Sequence, residues 1–149
     1  MEQLRVRLAD DMKTAMREKA TDRLSTIRMI RAEILTKDKE RGNESSEEEI
    51  LKILQSMVKR RGEAAEQFEK GNRPDLAAKE REEVLVLQGY LPTQMDDETI
   101  LQAAQSAIGA MGITSIKEMG KVMSVLSKQL AGQAAGARTS RIVKEILTP

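Results

Sequence analysis

Residues 50–92 read ILKILQSMVKRRGEAAEQFEKGNRPDLAAKEREEVLVLQGYLP. Ile50, Leu54, Met57, Ala64 and Phe68 recur every three to four residues, or a small multiple of that, the period of a helix and not of a strand. Gly71-Asn72 predicts its end, because both residues tolerate the left-handed conformation of a helix C-cap. Pro74 suits the first turn of a second helix, with Leu76, Val84, Leu87 and Leu91 as its stripe. Pro92 cannot continue that helix, and TQMDDE after it reads as a domain boundary. One stretch thus predicts two consecutive helices and the end of a unit.

The same period holds on both sides. Upstream, Leu4, Leu8, Met12 and Met16 predict a first helix. Asp22 is read as the N-cap of a second, with Leu24, Ile27, Ile30 and Ile34 on one face and an end near Gly42-Asn43. Ser45 with Glu48 reads as a capping box. Downstream, Asp96 or Asp97 caps a helix with Ile100, Leu101, Ala104 and Ile108. After Met111-Gly112, Ser115 and Glu118 read as another box, opening a helix with Ile116, Met119, Met123, Leu126 and Leu130. Ile142, Val143, Ile146 and Leu147 mark the last. The expected fold is all-α: about four helices in residues 1–92, then a small three-helix domain in residues 96–149. Each group must bury its own stripes, since a lone short helix is marginal.

Composition excludes much chemistry. The chain has no His and no Cys, so it has no His-based triad, no thiol nucleophile and no usual zinc site. No metal or cofactor is expected. Phe68 and Tyr90 are the only aromatics, too few for a base-stacking platform. No apolar run nears the roughly 18 residues of a membrane span, and the charged start MEQLRVRLADDMK lacks a signal-peptide core. A cytoplasmic protein is the expectation, and nothing demands a dimer, so a monomer is expected.

Net charge is only +1, but it is unevenly spread. Residues 99–149 hold Lys117, Lys121, Lys128, Arg138, Arg141 and Lys144 against two acids, Glu118 and Glu145. Lys117, Lys121, Ser124 and Lys128 fall on one helical face and predict a basic ridge. In GQAAGARTSRIVKEILT (132–148), Gly132 and Gly136 read as the turn joining two helices. The start of the second is a place that favours anions. Arg138 and Arg141 in its first turns oppose the helix dipole, a mild hint of another purpose. Elsewhere, Arg31, Arg61 and Glu80 fall inside apolar arcs. They predict either a partly buried ion pair, such as Arg61 with Glu80, or arginines lining a groove that takes an anionic partner. The run Val58-Lys59-Arg60-Arg61 points around much of a helix and reads as a solvated surface.

The stretches DRLSTIRMIRAEI (22–34), VKRRGEAAEQFEKGNRPDLAAKEREEVLVLQGYLP (58–92) and MGKVMSVLSKQLAGQAAGARTSRIVKEIL (119–147) resemble the GatB/YqeY family in its free-standing YqeY-like form. The resemblance covers nearly the whole chain. It implies an N-terminal helical domain and a small C-terminal helical domain. A similar region ends the B subunit of the tRNA-dependent amidotransferase, where it serves as a tRNA-contacting tail. By that resemblance the C-terminal domain looks like a binder of the tRNA backbone. The family commonly carries a G-K-A-D-G-like turn where this chain has Gly132-Gln133-Ala134-Ala135-Gly136. The glycines stay and the lysine is lost, which implies weaker phosphate binding.

The leading expectation is a non-catalytic tRNA-binding or tRNA-amidation accessory protein, with no catalytic residue of its own. Its contacts would be Lys117, Lys121, Lys128, Gly132, Gly136, Arg138, Arg141 and Lys144. Arg28, Lys59 and Arg60 are read as a secondary basic surface for the same RNA or a protein partner, and an aminoacyl-tRNA or amidotransferase complex is a further expected partner of the chain. The alternatives are an amidotransferase component with carbon–nitrogen ligase activity and glutamine as amido donor, and a protein-interaction adaptor.

Overall fold

The computed structural model describes residues 3–149, all of them helical or in short connections. The helices are α1 (Leu4–Arg17), α2 (Thr21–Arg41), α3 (Glu47–Lys70), α4 (Pro74–Gln88), α5 (Asp97–Met111), α6 (Met119–Gln129) and α7 (Gly136–Leu147), with a 3₁₀ turn at Ile116–Glu118. The all-α expectation holds, with four helices before Pro92 and three after it. The chain divides into two compact units between Leu91 and Pro92.

In the N-terminal unit α1 packs on α2, and α3 packs chiefly on α4. The core joins Leu8, Ile27, Ile30, Ile34, Ile50, Leu54, Met57, Leu87 and Tyr90, all buried. Burying one such aliphatic side chain contributes about 1.5–3 kcal/mol. Two expectations shift by a residue, and a third falls away. Met16 is 51% exposed, and Ala15 is buried in its place. Beside it the chain turns back through Lys19 (φ 56°), and the Ala20 N–H reaches the Ala15 carbonyl at 2.9 Å. Ala65, not Ala64, is the buried alanine of α3, and Ile53 joins it. Asp22 does not cap α2: the helix starts at Thr21, so Asp22 sits in its first turn, still at the favourable end of the dipole.

The capping box of α3 is Ser46 with Glu49, not Ser45 with Glu48. Ser45 is drawn inward because its N–H donates to Asp38 Oδ1 at 2.7 Å. The same oxygen accepts from Arg5 Nη2 at 2.8 Å. Asp38 thereby ties α1, α2 and the turn before α3. The Arg5 guanidinium first, and the Ser45 N–H second, hold its carboxyl well below the usual carboxylate range. Gly42 (φ 80°) and Gly71-Asn72 end α2 and α3 as expected.

In the C-terminal unit α5, α6 and α7 pack pairwise around Ile100, Ala104, Val122, Leu126, Ile142 and Val143. Ser115 makes no box with Glu118: its Oγ accepts the Lys117 N–H at 3.2 Å and opens the 3₁₀ turn. Helix α6 therefore starts at Met119, Ile116 is 40% exposed, and Val122 takes the buried position.

Two charged contacts fix how the N-terminal helices meet. Arg61 Nη1 lies 3.3 Å from Glu80 Oε2 and also pairs with Glu83, while its Nη2 touches Met29 Sδ at 3.6 Å. Glu80 and Glu83 are one turn apart on α4, so both reach the same guanidinium. The Arg61–Glu80 ion pair of the sequence reading is thus present, with Glu83 added. Tyr90 is 3% exposed, and its hydroxyl donates to Asp11 Oδ2 at 2.5 Å. Burial first, then that bond, raises its phenol well above the ordinary value.

Arg61→Ala leaves two half-buried carboxylates facing each other, and is expected to destabilise by about 2–4 kcal/mol in denaturant unfolding. A triple Arg61→Met/Glu80→Gln/Glu83→Gln variant is expected to recover most of that loss. Tyr90 gives a pH prediction. A raised phenol favours the neutral form in the folded state, so its contribution is full below the ordinary phenol value and is lost as pH rises above it. The denaturation midpoint should fall above pH about 10. Tyr90→Phe should lack that component of the fall and lose about 1–2 kcal/mol at neutral pH.

Candidate nucleic-acid interface

The connection from α6 to α7 answers which glycine is needed for what. Gly132 has φ 77°, a conformation that L side chains rarely adopt, so glycine is required there. The turn is fastened to the segment before α5. Gln94 Nε2 donates to the Gly132 carbonyl at 2.7 Å, and the Met95 N–H donates to the Gln133 carbonyl at 2.8 Å. Gly136 is different: it is the first residue of α7, and a Cβ added to it would meet open space. Glycine is therefore not sterically required at that position.

That start is also uncapped. Ala135 at the N-cap offers no side-chain acceptor, and the first turn of α7 holds no acidic residue. The compensation comes from α5. Asp96 caps α5 by accepting the Thr99 N–H at 2.8 Å. Asp97 is then free to turn to α7. Arg138 donates to Asp97 Oδ1 through Nη2 at 2.7 Å and Nε at 3.2 Å, and to the Met95 carbonyl at 3.0 Å. Arg141 donates to Asp97 Oδ2 at 3.1 Å. The two guanidiniums, Arg138 before Arg141, hold the Asp97 carboxyl below its usual range. One carboxylate is thus gripped on both oxygens by arginines one helical turn apart.

The sequence reading left Arg138 and Arg141 unengaged, and this is corrected: both are paired within the unit. Their side chains nevertheless remain 37% and 56% exposed, so they are within reach of a larger anion. Asp97 as their partner was missed. The adjacent Asp96-Asp97 doublet was its signal, since one carboxylate suffices for the cap.

The lysines stand singly. Lys121 and Lys128 share an exposed face of α6, with Lys121 3.7 Å from Glu118. Lys117 lies on the 3₁₀ turn, so the ridge loses its first step in helical register. Lys117, Lys128 and Lys144 are exposed and have no carboxylate within ion-pair distance among the described residues.

The N-terminal candidates separate. Arg60 is held by Glu33, with both carboxylate oxygens within 2.8 Å of Nη2. Lys59 is exposed. Arg61 is spent on Glu80 and Glu83. Arg28 and Arg31 line a groove between α1 and α2. Arg61 therefore takes the ion-pair role, and Arg31 lines a groove. No His, Cys, Asp and Glu cluster fit to hold a metal ion occurs among the described residues. No helix among them is long and apolar enough to cross a membrane.

Comparison with known proteins covers the whole of this framework. The family model for Yqey-like protein matches residues 5–147. The chain is 30% identical over 145 residues to altered inheritance of mitochondria protein 41, mitochondrial, of Pyrenophora tritici-repentis, covering 95% of this chain and 79% of that one. The protein of the same name in Clavispora lusitaniae is 35% identical over 91 residues, 59% of this chain and 53% of that one. An uncharacterised protein of Schizosaccharomyces pombe is 33% identical over 89 residues, 60% of this chain and 69% of that one. The names of the first two place those relatives in mitochondria. With both helical units included in the match, the chain belongs to the YqeY-like family.

Proposed function

We propose that the C-terminal unit contacts the phosphate backbone of a folded RNA, and that the chain acts as a non-catalytic tRNA-binding accessory protein. One observation carries this reading: Arg138 and Arg141 chelate a carboxylate beside an open, uncapped helix start. A phosphate presents the same kind of two-oxygen face to a guanidinium pair. The helix N-terminus adds backbone N–H groups and a favourable dipole end. Lys117, Lys121, Lys128 and Lys144 supply further positive charge on exposed positions. With two aromatics in the whole chain, the contact is to phosphates and shape, not to stacked bases. The tie to tRNA amidation rests on the resemblance to the amidotransferase tail.

On this reading Asp97 is an internal competitor for the anion. A titration of the full chain against total tRNA at two salt concentrations tests it. Binding should saturate and weaken as salt rises. An Arg138→Ala/Arg141→Ala variant, verified as folded by circular dichroism, should bind about tenfold more weakly with a shallower salt slope. Asp97→Asn should bind more tightly than the parent, because it frees both arginines. Absence of binding at low salt, or indifference to both variants, would sink the proposal.

A further inference from the structure

The groove between α1 and α2 carries charge that the fold does not use. Leu8 and Ile34, 1% and 3% exposed, form its floor. Ala32 and Leu35 form its wall, and its volume is about 370 Å³. That is within the size range of small-ligand sites. Leu35, a large aliphatic side chain, is 54% exposed among the described residues.

The two ends differ. At one, Arg5 and Asp38 neutralise each other at 2.8 Å. At the other stand Arg28 and Arg31, one turn apart on α2. Arg31 reaches across to α1, where Nη1 lies 2.9 Å from Met12 Sδ. A thioether is neutral and leaves that charge unmet. Most other arginines, among them Arg5, Arg23, Arg41, Arg60, Arg61, Arg73 and Arg81, lie beside a carboxylate. Arg28 and Arg31 do not, among the described residues, and like charges at this spacing repel mildly.

We propose that this groove binds a linear amphipathic anion: an apolar chain of medium length ending in a carboxylate or phosphate. The head sits between Arg28 and Arg31. The chain runs over Ala32 and Leu35, with Leu8 and Ile34 beneath it. The direction is set by charge: the Arg5–Asp38 end is already paired and offers no net attraction, while the Arg28–Arg31 end does. From Arg28 to Asp38 the helix rises about 15 Å, room for a chain on the order of ten carbons. The groove's length, with its unpaired arginines at one end and the Arg5–Asp38 pair at the other, matches a single free amphiphile better than a bilayer surface. This site is separate from the proposed RNA contact, and it stands or falls independently of it.

The test is a methyl and amide NMR titration of the full chain. The probes are sodium decanoate and decyl phosphate below their micellar concentrations, with 1-decanol and inorganic phosphate as controls lacking head or tail. At least one amphiphile should give saturable shifts confined to Leu8, Ile34, Leu35 and their neighbours. Decanol, phosphate, an Arg28→Gln/Arg31→Gln variant and a Leu35→Ser variant should each bind at least about tenfold more weakly. Both variants alter exposed side chains, so folding should survive, and the amide spectrum checks it directly. The proposal is overturned if neither amphiphile moves these methyls, or if decanol or phosphate alone binds as tightly. It is equally overturned if the groove responds only to phosphatidylglycerol vesicles or to tRNA.

Discussion

A guanidinium in the middle of an apolar seam must find its counter-charge there, and Arg61 finds two. Glu80 and Glu83 meet it from α4, and Met29 meets it from α2. The core around it is made almost wholly of Leu, Ile, Ala and Met. Such stripes bury area well but distinguish poorly between one helix register and its neighbour, since each rung resembles the next. A charged contact at one height does distinguish them, because a slip would leave it unpaired. Asp38 with Arg5 and Ser45, and Tyr90 with Asp11, place the same kind of constraint on α1. Burial thus supplies most of the stability of the N-terminal unit, and a few polar contacts define how its helices align.

The C-terminal unit repeats this logic with a different outcome. Asp97 joins the start of α5 to the start of α7 through Arg138 and Arg141. Here the contact is exposed, and an exposed ion pair contributes little to stability. It does orient both guanidiniums and hold them beside the uncapped α7 terminus. An arginine pair held this way loses less freedom when it meets another anion than two loose side chains would. Any such anion must, however, replace the carboxylate already there, so the gain is a difference between two anions.

Most of the fold is legible in the sequence because its signals are local. The period near 3.6 marks every helix, and Gly42, Gly71-Asn72, Pro74 and Gly112 mark several of the ends. What was misplaced by a residue depends on contacts distant in sequence. Ser45 loses the cap to Ser46 because Asp38, seven residues earlier, takes its N–H. Ala15 displaces Met16 from the core just before the chain returns through Lys19. The candidate site was legible as a list of basic residues and a two-glycine turn. Its geometry was not, because nothing local says that Asp97 crosses to Arg138 and Arg141, or that Arg60 ends on Glu33 while Arg28 meets no carboxylate among the described residues. Charge pairing across helices is a tertiary fact.

Tyr90 has a practical consequence. It is the one tyrosine, there is no tryptophan, and it is buried in the N-terminal unit against Asp11. Near-ultraviolet emission of the unmodified chain therefore comes from that unit alone, while far-ultraviolet dichroism reports helices in both. A carboxylate bonded to the phenol is also a quencher that departs when the unit opens. The chain thus carries its own two-channel reporter. Comparing the two signals along one denaturant curve separates the melting of one helical unit from that of the other, without a label or a truncation.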